Sequence, residues 1–158
     1  MEVREKKRAA LLSVASAVVL LSLKSFLVLR TGSLGVLSEA LHSGLDLLAA
    51  IITYLSVRMS DQPADEGHPY GHGKFENFSA FVETALLLIT AVFIIYEGIN
   101  RLFFHHVHIQ PSIIAVLILL VALAIDITRA KALGHVARKY HSEAIEADAL
   151  HFSTDVWS

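Results

Sequence analysis

The chain contains no cysteine. Disulfide frameworks and thiolate metal ligation are therefore excluded, and any metal must be held by His, Asp or Glu. Charged residues are scarce at 18%, whereas 54% of the residues are hydrophobic and the mean hydropathy is +0.58. That composition is too apolar for an ordinary soluble domain. Proline is rare as well, and its three residues, Pro63, Pro69 and Pro111, lie outside the long apolar runs. A formal net charge of -2 gives no reason to expect a nucleic-acid partner.

What is abundant is contiguous apolar sequence, which makes a lipid bilayer the expected solvent. Crossing a hydrocarbon core of about 30 Å takes roughly 20 helical residues at about 1.5 Å each. Four segments meet that requirement, residues 9–29, 34–57, 78–99 and 112–132. A fifth helical segment is predicted from near His141 to Ser158, too short to complete a crossing. The expected fold class is an all-α polytopic membrane helix bundle, with residues 1–158 forming one partial transmembrane domain. A cleaved secretory signal fits poorly. Arg4, Lys6, Lys7 and Arg8 resemble an n-region, but the apolar run from Ala9 to about Leu29 is too long, and Ala15 and Ala17 lie inside it.

Positive charge sets the predicted orientation. Arg4, Lys6, Lys7, Arg8, Arg58, Lys74, Arg129, Lys131, Arg138 and Lys139 fall on one side, and only Arg30 and Arg101 on the other. The amino terminus is thus expected in the cytoplasm, and the protein in the cell (inner) membrane as a multi-pass integral protein. Lys24, within the first span, is expected to snorkel to the interface. Thr31-Gly32-Ser33 reads as a tight turn, and the stretch from Ser60 to Gly73, with Pro63, Gly67, Pro69, Gly71 and Gly73, as a non-helical cytoplasmic loop.

Ionisable residues deep in a span are costly, so they are read first as functional. The second span carries Glu39, His42 and Asp46; spacings of three and four place all of them on one helical stripe. The fifth segment repeats this with Asp148, His151 and Asp155. Glu39-Ala40-Leu41-His42-Ser43-Gly44-Leu45-Asp46 and Asp148-Ala149-Leu150-His151-Phe152-Ser153-Thr154-Asp155 share Ala, Leu, His and Asp, and each begins with a carboxylate.

These two helices run in opposite directions, so their depths can be compared by counting. His42 lies about 12 Å below the outer boundary and Asp46 about 6 Å deeper; Asp155 falls near 12 Å and His151 near 18 Å. His42 is then level with Asp155, and Asp46 with His151. If the helices are neighbours, two imidazoles and two carboxylates converge near the midplane. That is a tetrahedral nitrogen and oxygen set suited to zinc, with two negative charges to offset those of the ion. The plainer reading makes each pair a structural hydrogen bond between helices, and the matching pairs at matching depth weigh against it.

On these residues the chain resembles the cation diffusion facilitators. The likeness extends through Thr31-Gly32-Ser33, Gln62-Pro63-Ala64-Asp65, His68-Pro69-Tyr70-Gly71-His72-Gly73-Lys74 and Ala147-Asp148-Ala149-Leu150-His151, and covers essentially the whole chain. It implies that His42, Asp46, His151 and Asp155 are transport ligands with a preference for zinc. It also implies six spans, a carboxyl-terminal cytoplasmic metal-binding domain, a homodimer, and exchange of metal for protons. Against that pattern the rest of the fifth span, the sixth span and the soluble domain are absent. Asp65, His68 and His72 resemble a second, loop-borne zinc site of some members, for which the alternative is a solvated loop that binds nothing.

The function expected is efflux of a divalent cation, most simply Zn2+, by proton-coupled antiport with alternating access. Zinc is then cargo, and no resident cofactor is expected beyond an ion in the loop. Protonation of His42 and His151 is the expected competitor of the metal. An enzyme is not expected, although an intramembrane zinc hydrolase using Glu39 or Asp148 as base is the main alternative, and a non-transporting metal sensor or partner subunit the next. His105, His106 and His108, in the outward loop, read as a weak metal cluster or simply as a wet loop. Glu83 and Asp126 read as polar contacts between helices.

Overall fold

A computed structural model describes residues 2–32, 34–104 and 113–156. Its regular elements are five helices, α1 (Glu2–Thr31), α2 (Leu34–Ser60), α3 (Lys74–Phe104), α4 (Ile113–Tyr140) and α5 (Glu143–Asp155). The expected all-α membrane bundle is the observed architecture. Among the described residues, Glu2–Thr31, Gly35–Ser60 and Lys74–Asn100 are long and apolar enough to cross a membrane, and the run 112–132 expected as a further span falls almost entirely on α4.

The helices outrun the apolar segments that announce them. α1 begins seven residues before position 9, and α4 continues eight residues past position 132. Hydropathy marks only the part of a helix that suits lipid. Glu, Lys and Arg are good helix formers, so Glu2 to Arg8 and Lys131 to Lys139 prolong the helices beyond it. α1 ends at Gly32, whose φ of 61° is left-handed and whose N–H donates to Val28 O at 2.8 Å. That is the usual glycine ending of a helix. The stretch between α2 and α3 is non-helical, as its prolines and glycines require.

α1 packs on α2 and α4, and α5 on α2, α3 and α4. A buried apolar cluster lies at the end of the bundle that holds the amino terminus, where Leu133 and Ala137 of α4 meet Ile145, Ala149 and Phe152 of α5, with Val57 of α2. Phe152 is 1% exposed and lies under the Arg129 guanidinium, 3.3 Å from ring centroid to Cζ. Phe152→Ala is expected to lower stability by about 3 kcal/mol through the cavity and the lost cation–π contact, read as a fall in melting temperature in detergent.

At the same end, one carboxylate ties four helices together. Lys6 Nζ of α1 lies 2.5 Å from Glu76 Oε1 of α3, Ser60 Oγ of α2 donates to that oxygen at 2.9 Å, and Ser142 Oγ donates to Glu76 Oε2 at 2.5 Å. Ser142 is the N-cap of α5, yet its hydroxyl makes no capping bond because it is engaged by Glu76. The preceding His141 adopts a left-handed φ of 50°, which turns the chain sharply from α4 into α5. In contrast, α3 and the first half of α4 leave Phe78, Phe81, Leu88, Ile89, Leu117 and Leu120 exposed, as suits a lipid-facing surface.

Candidate metal centre

Helical spacing brings Glu39, His42 and Asp46 to one face of α2, and packing of α5 against that face brings His151 and Asp155 to meet them. His42 Nε2 lies 3.3 Å from Asp155 Oδ1 and 3.6 Å from Asp46 Oδ1. His151 Nε2 lies 3.1 Å from Asp46 Oδ1 and 3.8 Å from Asp155 Oδ2. The shortest cross-helix contacts are those that depth counting pairs, His42 with Asp155 and His151 with Asp46. All four side chains that the repeat singles out are therefore in one place.

The spacing has a chemical meaning. A tetrahedral ion with bonds of about 2.0–2.1 Å has donor atoms about 3.3–3.4 Å apart, and the four His-to-carboxylate separations here run from 3.1 to 3.8 Å, with Asp155 meeting His42 through Oδ1 and His151 through Oδ2. Taken with one donor atom each, His42, Asp46 and Asp155 all lie within 4.8 Å of one another, and His151 joins them through Asp46. Asp46 and His151 are buried, at 7% and 1% exposure, while His42 and Asp155 are partly open. The open side faces a cavity of about 190 Å³. Its lining includes Lys24 of α1, Glu39, His42 and Asp46 of α2, Asp126 of α4 and Asp155 of α5. The lining comes from the later part of α1 and the earlier part of α2, so the cavity lies toward the end of the bundle away from the amino terminus. The other end carries the apolar core and the Glu76 cluster.

Behind the site, Asp148 is fully buried. Ser13 Oγ of α1 donates to Asp148 Oδ2 at 2.7 Å, and Arg129 Nε of α4 donates to Ser13 Oγ at 2.8 Å. Glu83, also fully buried, accepts from Ser79 of its own helix at 3.3 Å and from Thr53 of α2. Glu83 is thus the interhelical polar contact expected of it, whereas Asp126 faces the cavity.

The loop between α2 and α3 gathers the other expected residues. Asp65 Oδ1 lies 3.2 Å from His68 Nδ1, and Asp65 Oδ2 lies 3.4 Å from His72 Nε2. The His68 backbone N–H donates to Asp65 Oδ1 at 2.7 Å. That bond holds the Asp65 carboxyl below its ordinary range, with the His68 side chain adding to the effect. His72 is oriented by Pro63 O, 3.1 Å from Nδ1, and by stacking on Phe75. One donor atom from each of Asp65, His68 and His72 can be chosen so that all lie within 4.8 Å of one another. His105, His106 and His108 lie outside the described residues.

Residues 10–158 match the family described as the cation efflux transmembrane domain. The chain belongs to that family. Among its relatives, the cation-efflux pump FieF of Yersinia pestis is 38% identical over 150 residues, covering 95% of this chain and 50% of that protein. FieF of Shigella boydii is 36% identical over 149 residues, covering 94% of this chain and 49% of that pump. An uncharacterized transporter of Synechocystis is 33% identical over 158 residues, which is 100% of this chain and 51% of its own length. The chain thus spans about half the length of the curated relatives it matches.

Some interior residues of this cation efflux chain escape a reading of the sequence. Arg129, counted there among the flanking charges, is 5% exposed and bonded inside the bundle; without it the charge bias is nine to two and keeps its sign. Lys24 does not snorkel. It is 7% exposed, with Nζ 3.0 Å from Glu39 Oε2, because a carboxylate on the adjacent helix is a nearer partner than the interface. Ser13 carries no sequence signal at all. Asp148 does, since it opens the second copy of the repeat.

Proposed function

We propose that the chain is the membrane portion of a divalent-cation exporter whose cargo is Zn2+, bound by His42, Asp46, His151 and Asp155. The observation that carries this reading is the set of four His-to-carboxylate contacts between 3.1 and 3.8 Å, drawn from two antiparallel helices. Two carboxylates and two neutral imidazoles make a site whose charge cancels that of the ion, which removes much of the cost of holding a dication at membrane depth. With His151 as the fourth donor beside His42, Asp46 and Asp155, the tetrahedral shell is complete, whereas a zinc hydrolase keeps one position for water. Glu39 is already paired with Lys24, which withdraws it from the role of general base.

Transport proceeds by alternating access, with the amino terminus in the cytoplasm. The cavity then leads from the ion site to the outer face, and the Glu76 cluster with the core around Phe152 closes the cytoplasmic face. Protons taken up by His42 and His151 displace the metal outward and couple its exit to inward proton flow. The family resemblance supports a homodimer as the assembly.

The test is Zn2+ movement into proteoliposomes of the full-length protein under an imposed pH gradient. Gradient-dependent flux supports export; Zn2+ binding with no flux at any gradient would make the chain a sensor instead. The loop triad is a second, modulatory Zn2+ site. Asp65→Ala is expected to remove one bound Zn2+ per chain while flux stays within about tenfold of wild type, measured by metal analysis beside the flux assay. Because Asp65 is held below its ordinary range, its contribution to loop order is complete above that range and lost as pH falls through the lowered value.

A further inference from the structure

Lys24 is the only lysine or arginine among the described residues that line the cavity. Its ammonium lies 3.0 Å from Glu39 Oε2 and the residue is 7% exposed. Glu39 precedes His42 by three residues and so shares its stripe. Asp126 adds a second carboxylate to the same wall from α4. A dication that leaves the four-residue site through this cavity therefore passes two acidic side chains that do not belong to the site. With no counter-charge, those carboxylates would hold the ion at close range on its way out. Lysine suits the task of preventing this, since its charge is compact and its four-carbon stem lets it shift between acceptors.

We propose that Lys24 is a tethered counter-cation of the release cavity. It neutralises Glu39 while the ion is bound, and its positive charge lowers the affinity of the site for a dication on the side from which the ion departs. This rests on the transport reading and names the residue that makes release favourable. Lys24 touches a carboxylate and none of the four ligands, so its effect on the metal acts through charge.

The proposal assigns opposite signs to the two partners of the ion pair. In the purified full-length protein titrated with Zn2+, Lys24→Met leaves Glu39 unopposed and is expected to tighten binding at least ~10-fold while slowing flux. Glu39→Gln leaves the ammonium unopposed and is expected to weaken binding by a similar factor, ~10-fold. The double variant Lys24→Met/Glu39→Gln should return affinity to near the wild-type value, and Lys24→Arg should keep it. Unchanged or weaker Zn2+ binding in Lys24→Met overturns the proposal. If Lys24→Met does not fold, the comparison of Glu39→Gln with the double variant decides, because only a charge effect makes the double variant bind more tightly than Glu39→Gln. Asp155→Ala serves as the control for the site itself. If it retains wild-type Zn2+ binding, the transport-site reading fails; if it loses binding while the Lys24 variants do not shift affinity, only the counter-cation inference fails.

Discussion

Asp46→Ala and Asp155→Ala are each expected to reduce Zn2+ flux at least ~100-fold, because either one leaves a dication facing a single carboxylate in a water-poor site. Breaking one member of a buried charged set costs about 3–5 kcal/mol, which is roughly two to three and a half orders of magnitude in binding. The geometry sharpens the expectation. Asp46 Oδ1 lies within 3.6 Å of His42 Nε2 and 3.1 Å of His151 Nε2, so its loss removes the donor that both imidazoles share. Asp155 spans the same pair from α5, at 3.3 and 3.8 Å. The measurement is initial Zn2+ flux in proteoliposomes at matched protein density. Wild-type rates from either variant would show that the cation travels by another route.

Glu76→Ala is expected to destabilise the bundle by about 3–5 kcal/mol, the largest stability effect of any single change at the amino-terminal end. The substitution strands Lys6, which is 7% exposed, and removes the acceptor of both the Ser60 and the Ser142 hydroxyls. Four helices lose a common anchor at once. Most of the loss should return in Lys6→Met/Glu76→Met, because an apolar pair of similar volume avoids the uncompensated charge. Melting temperatures in detergent for the two single variants and the double test this. A double variant no more stable than Glu76→Ala would mean that the contacts of Glu76 with the serines, and not its pairing with Lys6, hold the helices.

Much of this was legible in the order of residues. Apolar runs of about 20 residues announce membrane helices without help from any partner, because lipid leaves the backbone few other ways to satisfy its hydrogen bonds. The stripe Glu39, His42, Asp46 and its copy Asp148, His151, Asp155 are equally local, since helical geometry alone aligns them. Even the cross-helix pairing followed from counting, given that α2 and α5 are antiparallel neighbours. The loop triad was visible too, because Asp65, His68 and His72 lie close in sequence and glycine and proline bend the chain around them.

Other features were not legible. Arg129 sits two residues from Lys131, and hydropathy treats them alike; one points into the bundle toward Ser13 and Phe152, while the other is exposed. Lys24 reads as an interfacial lysine until the position of Glu39 on the neighbouring helix is known. Glu76 gives no sign of its role, because Lys6, Ser60 and Ser142 reach it from positions 70, 16 and 66 residues away.

By itself, then, the sequence determined that this is a helical membrane domain carrying two matched His and Asp stripes, since span length and helical period depend only on neighbours along the chain. Only the tertiary structure decided which stripes face each other, which lysine and arginine turn inward, and which end of the bundle carries the cavity. Those outcomes depend on the rotation of each helix about its axis and on its choice of neighbours, and packing of side chains from distant parts of the chain selects both.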